Sequence, residues 1–373
     1  HQLNPSEWRK DGRTTIQIHG CWGVFRVTAQ VWEHRQERKH HTIPCDQTLD
    51  QSGYTPQALS DLTMLARLLT YEDAACLAAR LGLHLSDSAL QQVVAPVAQT
   101  TRQLVRTHLE HQAEQPLEHA PAKKKRVMVI QTDGVIVLGR RTGKNVTDPK
   151  IPRETGEAIE VKTLTVFPQE APTARLTVAE ACSADEFMPL LAGSLRAANL
   201  REHDELIGVS DGAVWIEERF KCLGVTQHVL DVYHATAYVD TLMEEMAWSV
   251  EQRQLERQAW LRGEWDGGLW LNTFISAPLE RKFSEDAQRA LRYLRQRTHL
   301  MAYPTYKSRG WPIGSGQIEG VNKSVIGGRM KGSGMHWSRS GASNMAALRA
   351  YGDHRMPLIP FDTIRHAAYP IPA

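Results

Sequence analysis

The sequence predicts an α/β protein: a mixed sheet flanked by helices, with an all-α insertion, preceded by a mostly helical N-terminal region. Three observations indicate this class. Between residues 127 and 234, short apolar runs rich in β-branched residues first follow one another and then alternate with helical stretches. From 235 to 309 the chain is rich in Arg, Glu, Gln, Leu and Trp and carries helix signals only. Residues 55 to 112 carry the capping signals of successive helices.

Composition and charge limit the class of protein. The 373 residues are 42% hydrophobic and 23% charged, which is typical of a globular chain of two or three domains. The net charge is only +2, so clusters of charge are more informative than the total. The five cysteines form no CxxC pair and have no zinc-type spacing, which predicts reduced thiols in a cytoplasmic protein. No apolar run approaches the roughly 18 residues of a membrane span, so we expect no membrane partner.

The N-terminal region, 1–54, contains one strong strand signal. Residues 14–32 are rich in β-branched and aromatic residues and are interrupted by Gly20 and Gly23, which predicts a β-hairpin. The charged stretch that follows, EHRQERKHH, predicts a solvated loop, with contact to nucleic acid phosphate as the alternative.

Residues 55–112 predict helices separated by a glycine turn. Thr70 can cap a helix that ends at Gly82, and Ser86 can cap the next one. Two alternatives remain open, because a helix-turn-helix that reads DNA and a purely structural bundle have the same spacing. A linker, 113–126, follows, with two prolines and then a basic run that suits the DNA backbone: Lys123, Lys124, Lys125 and Arg126.

The segment VMVIQTDGVIVLG predicts a strand that ends on Asp133. Asp-Gly between two β-rich runs is also a hairpin signal, so a turn at this aspartate is an equal alternative. The choice matters because a strand end can place a carboxylate at the edge of a sheet, whereas a hairpin tip places it away from the other strands.

The strands that follow place two more acidic residues at strand ends. Two strands come first, then a helix over 183–199, then the strand ELIGVS, which stops at Asp211. After another helix, a last strand ends at Asp231 and His234. This order, within 127–234, is that of an RNase H-like fold. In that order the first and fourth strands are neighbours, which would bring Asp133 and Asp211 together.

Residues 310–352 predict a helix that starts after a glycine-rich turn and has one apolar stripe. Glu319 falls in its first turn and is the one carboxylate among eleven Lys and Arg residues between Asp286 and Asp353. It is either an acid that complements the helix dipole and pairs with Lys323, or a metal ligand in a phosphate-binding surface. That surface would consist of Lys323, Arg329, Lys331, His336, Trp337 and Arg339. The tail, 353–373, holds four prolines and is expected to be extended or partly disordered.

Three carboxylates, Asp133, Asp211 and Glu319, are therefore the metal-ligand candidates. Oxygen ligands of this kind suit Mg²⁺ or Mn²⁺. Two such ions about 4 Å apart can activate a water or a 3′-hydroxyl, orient a phosphodiester and stabilise the leaving oxygen. The sequence thus predicts phosphodiester chemistry on DNA, whose backbone the basic residues around Glu319 would hold.

Around these carboxylates the sequence resembles the DDE transposases of bacterial insertion sequences, most closely the ISKra-type family. The matching pieces are TDG with Asp133, EVKTLTVF, SDGAVWI with Asp211, LDVYHA, and GSGQIEGVNKSVIGGRMKGSGMHWS followed by LRAYG. They occur in the family's order and cover roughly residues 126 to 352. The long C-terminal motif is highly specific, whereas either Asp-Gly alone is not.

The resemblance implies an RNase H-like catalytic domain with an all-α insertion before the glutamate, and a catalytic triad of Asp133, Asp211 and Glu319. Both aspartates would bind two Mg²⁺ (or Mn²⁺) ions, and Glu319 the second of them. The D-x-x-H of Asp231 and His234 looks like the C/D(2)H motif of Mutator-like relatives, which lies near the active site. The alternative is an aspartate that caps the next helix beside a structural histidine. Family members often carry a Cys-rich zinc ribbon near the N-terminus, and this chain lacks those cysteines.

The function implied is a metal-dependent transposase that binds the ends of a mobile element and cleaves and transfers DNA strands. Its expected partners are double-stranded DNA, as element ends and target, and further copies of itself in a homodimer or higher oligomer on that DNA. It would act in the bacterial cytoplasm, associated with the nucleoid. Two rivals remain. One is another RNase H-like nuclease, such as a junction resolvase, which should lack the GMHWS motif and the α insertion; the other is an inactive DNA-binding relic.

Overall fold

A computed structural model describes residues 5–21, 23–44, 52–119, 125–140, 157–353 and 358–370. Two of the predicted DNA-binding residues, Lys123 and Lys124, lie outside these ranges. In the part of the chain that is described, no helix is both long enough and apolar enough to cross a bilayer.

The chain begins with a three-stranded antiparallel sheet. Its strands are β1 (Trp8–Gly20), β2 (Gly23–His34) and β3 (His40–Pro44), in that order across the sheet. β1 and β2 pair up to Gly20 opposite Gly23, so the predicted hairpin is confirmed, and Gly23 has a φ of +120° that favours glycine at the tip. The third strand was not predicted.

Three helices follow: α1 (Pro56–Leu68), α2 (Tyr71–Arg80) and α3 (Asp87–Ala113). The predicted caps are confirmed, because the hydroxyls of Thr70 and Ser86 accept hydrogen bonds from backbone N–H groups in the first turns of α2 and α3. On α3, Arg102 and Arg106 form ion pairs with the buried Glu180, at 2.6 and 3.0 Å. α3 therefore lies against the main sheet, which agrees with the structural-bundle alternative rather than with a free recognition helix.

The main sheet has five strands: β4 (Val127–Leu138), β5 (Ala158–Pro168), β6 (Leu176–Glu180), β7 (Glu205–Ser210) and β8 (Gln227–Leu230). Their order across the sheet is β6-β5-β4-β7-β8. β4, β5 and β6 pair antiparallel, whereas β4, β7 and β8 pair parallel. The sheet is therefore mixed, and the predicted contact between the first and fourth of these strands is confirmed.

Helices cover both faces of this sheet. α4 (Ala184–Ala197) connects β6 to β7 and α5 (Val214–Cys222) connects β7 to β8, whereas α6 (Val232–Glu245) leads from β8 into the helices that follow. Alternate residues of β4 divide between the two faces: Met128 and Ile130 pack with α3, α4 and α5 residues, whereas Val129 packs with residues of α6 and the helices after it. Asp133 is an even number of residues from Val129 and so belongs to the second face.

The segment predicted as an all-α insertion is helical. It contains α7 (Val250–Leu261), α8 (Gly267–Phe274), α9 (Ala277–Glu280), α10 (Glu285–Gln296) and α11 (Tyr303–Ser308). Its fully buried Trp260 and Trp270 belong to the same apolar cluster as strand residues Val129, Ile207 and Val229. The insertion is therefore packed directly onto the sheet.

The C-terminal region returns to β4. A continuous helical stretch consists of α12 (Gly316–Val321), a π-helical segment (Asn322–Gly327) and α13 (Gly328–Met330), and α14 (Arg339–Tyr351) follows. The predicted helix is confirmed, but its π segment was not predicted. The predicted irregular tail is wrong at α15 (Phe361–Ala368), where Ile364 is buried against Leu59 and Val97. Proline content misled the prediction, because Pro360 precedes this helix rather than interrupting it.

Candidate active site

Asp133 and Asp211 occupy matching positions on neighbouring parallel strands. β4 and β7 pair through Gln131 opposite Val209, and each aspartate lies two residues beyond this last pair. β7 ends at Ser210, whereas β4 continues past Asp133 and remains paired with β5 up to Leu138. Asp133 thus lies inside a strand, so both the strand end and the hairpin turn predicted at this residue are wrong. The sheet opens between the two strands at this level, which is the usual position of a ligand site in such sheets.

The two carboxylates influence each other electrostatically. Asp133 is half-buried, and burial raises the pKa of its carboxyl, with the nearby negative charge of Asp211 raising it further. Hydrogen bonds from the Gly134 N–H (2.7 Å) and the Asn322 amide (2.6 Å), together with nearby His234, act in the opposite direction. A divalent cation between the two carboxylates would relieve their repulsion.

The insertion holds the loop that carries Asp211. The Tyr293 hydroxyl donates to the Asp211 carbonyl, and the Arg297 Nε donates to the Gly212 carbonyl at 2.8 Å. The Arg297 guanidinium also lies 4.0 Å from the Tyr293 ring centre. Gly212 has a φ of +78°, and a Cβ there would be 2.7 Å from Arg297 Nε, so no other residue fits without strain. Nothing in the sequence pointed to Tyr293 or Arg297, because one lies on an ordinary amphipathic helix, α10, and the other directly follows it.

The structure shows the capping role of Asp231 and places His234 close enough to Asp133 and Asp211 to feel their charges. The fully buried Asp231 caps α6, accepting from the His234 backbone N–H at 3.3 Å and from its Nδ1 at 2.8 Å. The hydrogen bond to Asp231 raises the pKa of His234, against burial, and the charges of Asp231, Asp211 and Asp133 raise it further. The cap is therefore structural, while the histidine lies within the electrostatic reach of both aspartates.

The helix that carries Glu319 is capped by side chains from elsewhere in the fold. The Gln131 Oε1 accepts from the Ile318 N–H at 2.9 Å, and its Nε2 donates to the Gly314 carbonyl at 3.2 Å. The Asp231 Oδ1 accepts from the Ser315 N–H at 3.0 Å. These contacts satisfy N–H groups that have no acceptor inside a helix. Gln131 could have been noticed in the sequence, because it is a polar residue two positions before Asp133 in an apolar strand.

A second anchor lies one turn further along the same helix. Asn322 donates to Asp133 at 2.6 Å and accepts from the Thr163 hydroxyl at 2.7 Å. Gln131 and Asp133 are about 6–7 Å apart along their strand, and residues 318 and 322 are about 6 Å apart along the helix. Because the two spacings match, the helix lies along β4, and Glu319 stands between the two anchors.

Glu319 itself is half-buried. Among the described residues, no ion pair joins it to Lys323, which is exposed, so the pairing considered for the helix-dipole alternative is not formed. No three of Asp133, Asp211, His234 and Glu319 have ligand atoms that all lie within 4.8 Å of one another. The structure thus brings the two aspartates and His234 into one neighbourhood and places the glutamate helix beside them.

One trio among the described residues does meet that spacing: Asp11, Glu33 and His40, on the N-terminal sheet. Glu33 is buried, but it is ion-paired with both Arg9 and Arg38. Hydrogen bonds from these two arginines lower the pKa of Glu33. Its charge is balanced, so the cluster is explained as an ion-pair network.

The predicted DNA-binding residues divide into two groups. Those with exposed side chains are Lys125, Lys323, Lys331, His336 and Arg339, and Trp337 is partly exposed. Arg329 is buried, with its guanidinium 5.1 Å from the Tyr71 ring centre and 5.5 Å from that of Trp337. Its Nε donates to the Ala66 carbonyl at 3.2 Å, and burial lowers the pKa of the guanidinium. The prediction that Arg329 contacts phosphate is therefore wrong: it binds a free carbonyl at the C-terminal end of α1.

Arg126 is also engaged inside the protein. Its guanidinium is 2.8 Å from Asp204 and also donates to the Asn199 carbonyl, so the prediction that it binds the DNA backbone is wrong. Burial alone would raise the pKa of Asp204, but hydrogen bonds from Arg126 and Arg201 lower it to about 2. The pair fixes the start of β4 beside the start of β7.

We expect Asp204→Asn to lower the free energy of unfolding by about 2 kcal/mol at neutral pH. The contacts with Arg126 and Arg201 stabilise the native state while Asp204 is ionised, and the lowered pKa of Asp204 reflects this stabilisation. This stabilisation is complete above the unfolded-state pKa near 4 and is lost as the pH falls towards 2, so the difference from wild type should shrink there. Urea unfolding at several pH values measures it. Asp185→Asn is the control, since its side chain is 86% exposed. An equal loss for both variants, or a loss that does not vary with pH, would contradict the assignment.

The chain matches no known family model, and no curated protein is significantly similar to it. It is similar to the crystal structure of the Mos1 strand transfer complex, with 12% identity, a TM-score of 0.17, and coverage of 71% of this chain and 80% of that one. The corresponding values for a pre-cleavage Mos1 transpososome are 11%, 0.18, 71% and 81%. Scores this low do not establish a shared fold.

Proposed function

We propose that this chain is a metal-dependent DNA transposase with an RNase H-like core, which cleaves DNA at the ends of a mobile element and joins them to a target. The observation that carries the proposal is the matched position of Asp133 and Asp211 beyond the last β4–β7 pair. The helix with Glu319 is anchored to the same strand through Gln131 and Asn322. These three carboxylates, from distant parts of the sequence, would form one site at this edge of the sheet, where β4 and β7 separate.

The residues at this edge fit a hard divalent cation. Asp133 and Asp211 would hold it, with Glu319 as the third carboxylate, and oxygen donors of this kind suit Mg²⁺ or Mn²⁺. When bound, two such ions supply charge stabilisation for the phosphodiester and activation of the attacking oxygen. Burial raises the pKa of Asp133, and the negative charge of Asp211 raises it further, so a cation bound here would stabilise the ionised carboxylate.

The surrounding residues fix the geometry of the carboxylates. The Gly134 N–H and the Asn322 amide orient the Asp133 carboxylate, and Tyr293 and Arg297 hold the backbone beside Asp211. His234, whose Nδ1 is bound to Asp231, offers its other ring nitrogen as a proton donor near the reacting phosphate. Preorganisation of this kind reduces the reorganisation needed at the moment of reaction.

The exposed cations would bind the DNA backbone. Lys323 and Lys331 lie on the helix of Glu319 and directly after α13, and Arg339 begins α14. Each phosphate contact made by such residues releases a counterion, so binding should weaken as salt rises. Because transposition joins two ends, a homodimer or larger assembly on double-stranded DNA is part of the proposal.

The test is cleavage of a supercoiled plasmid that carries the genomic DNA flanking the gene. We expect strand cleavage with Mg²⁺ or Mn²⁺ but not with Ca²⁺, whose longer and looser coordination does not suit the reaction. Asp133→Asn, purified in parallel, controls for contaminating nucleases and should be inactive. Cleavage that continues undiminished in excess chelator would overturn the proposed function.

A further inference from the structure

A cavity of about 400 Å³ lies between the N-terminal helices and the segment that contains the GMHWS motif. Its walls come from the start of α2, one face of α3, residues 334–338 and the first half of α14. This volume is within the range of small-ligand sites, about 300–1,000 Å³. The active-site carboxylates are not among its walls, so it is a separate site.

The Trp337 wall of the cavity is fixed to the strand of Asp133. The indole N–H donates to the Met330 carbonyl at 3.0 Å. The Trp337 backbone N–H donates to the Leu138 carbonyl at 2.9 Å, and its carbonyl accepts from the Arg140 N–H at 2.8 Å. The cavity is therefore held in a constant position relative to the active site.

The lining combines flat rings with amide groups. Tyr71 and Trp337 supply aromatic rings, and Gln91 and Asn344 supply amides that can both donate and accept hydrogen bonds. The Asn344 amide oxygen is buried and has no hydrogen-bond partner among the described residues. An unpaired buried acceptor is costly, and a rotation of the Asn344 side chain would bring this oxygen to a donor in the cavity.

The charged side chains in and around the cavity also suit a strand of nucleic acid. Asp87 lines the cavity from α3 and can accept from an amino group, while the cations Arg140 and Arg329 line it beside Trp337. Lys331 and Arg339 are exposed just before and just after the residues of the motif. A ligand with a hydrogen-bonding aromatic ring and a flanking phosphate matches this combination.

We propose that this cavity receives a single unpaired base of the bound DNA, with its neighbouring phosphates outside against the exposed cations. The proposal rests on the proposed function, because it takes the DNA at the active site as the source of the base. A base that is already unpaired enters at the lowest cost, since no stacking or pairing has to be broken. The cavity would thereby hold the DNA strand in one register relative to Asp133.

The test uses the full chain, without divalent metal, and one duplex in three forms. One form is fully paired, one carries a single unpaired nucleotide, and one has an abasic site at that position. We expect the unpaired nucleotide to bind about 5- to 100-fold more tightly than the abasic form, which is the effect of stacking one base. Equal Kd values for these two forms, with duplex binding intact, would overturn the inference and leave the proposed function standing. Failure to bind any DNA would overturn the proposed function itself.

A variant that fills the cavity tests whether the preference for an unpaired base depends on this cavity. Ala95 is exposed and lines the cavity, so Ala95→Phe fills the space without removing a contact. It should abolish the preference for the unpaired base and leave binding to paired duplex unchanged. Gln92→Phe is the matched control, because Gln92 is exposed on the same helix outside the lining and should keep the preference. An unchanged preference in Ala95→Phe, or equally tight binding of a free deoxynucleoside monophosphate, would overturn the proposal that the cavity takes a base of a DNA strand.

Discussion

Glu319→Gln should give a folded protein that binds DNA and does not cut it. The substitution keeps the size of the side chain but removes a negative charge and a metal ligand. Strand cleavage should fall by more than about 100-fold, because even residues that only orient metal ligands are worth about 10- to 100-fold. DNA binding without metal should stay level or tighten slightly, by about 1 kcal/mol or less for one charge near a screened surface.

If Glu319 only complements the dipole of its helix, a different outcome is expected. An acid that merely complements a helix dipole is worth about 0.3–1 kcal/mol of stability and nothing in chemistry. Here the helix start already has acceptors from Gln131 and Asp231, which reduces the need for such an acid. Cleavage rate, urea stability and binding should be measured for Glu319→Gln and for Glu280→Gln, an acid of the insertion paired with Arg295. A Glu319→Gln protein that cuts at near the wild-type rate would remove Glu319 from the active site and with it the main support for the transposase proposal.

Arg349→Met should destabilise the protein by about 3 kcal/mol or more. Arg349 is nearly buried on α14 and donates to the carbonyls of Arg67, Ser324 and Val325. Burial, with the charges of Arg67 and Arg329, lowers the pKa of Arg349 to about 10. Its removal leaves three carbonyls without their charged donor, and each such loss costs about 1–3 kcal/mol.

The midpoint of urea unfolding measures the effect of Arg349→Met. Arg339→Met is the matched control, because it lies on the same helix with a side chain that is 59% exposed, and it should change stability by about 0.5 kcal/mol or less. Arg349→Lys should also destabilise, since an ammonium group cannot span three carbonyls as a guanidinium does. If Arg349→Met were as stable as wild type, the cost of burying the cation would cancel its hydrogen bonds, and Arg349 would add no stability to the contact between α1, α14 and the π-helical segment.

The sequence was sufficient for features that depend on local pattern. Apolar runs and their order predicted the sheet neighbours that place Asp133 near Asp211, and side-chain caps predicted where α2 and α3 begin. It was sufficient for the helix of Glu319 as well, because its apolar stripe has helical spacing. These signals are short-range, or follow from the few ways in which strands and helices connect.

The sequence was insufficient where the role of a charged side chain depends on which residue it contacts in the fold. Arg126 and Arg329 look like their exposed neighbours in the sequence, but one binds Asp204 and the other binds the end of α1. Which cations meet an internal acceptor depends on contacts between residues far apart in the chain. The hold of Tyr293 on the Asp211 loop was unpredictable for the same reason.

The π-helical segment Asn322–Gly327 changes the direction in which the side chains after it point around the helix axis. A π turn holds about one residue more than an α turn, so the chain after it is rotated by about 100° relative to uninterrupted winding. Before the segment, this helix contacts β4 through Ile318; after it, Arg329 contacts α1. Regular winding would turn one end away from its partner. The extra residue therefore lets a single helix face both the strand of Asp133 and the N-terminal helices.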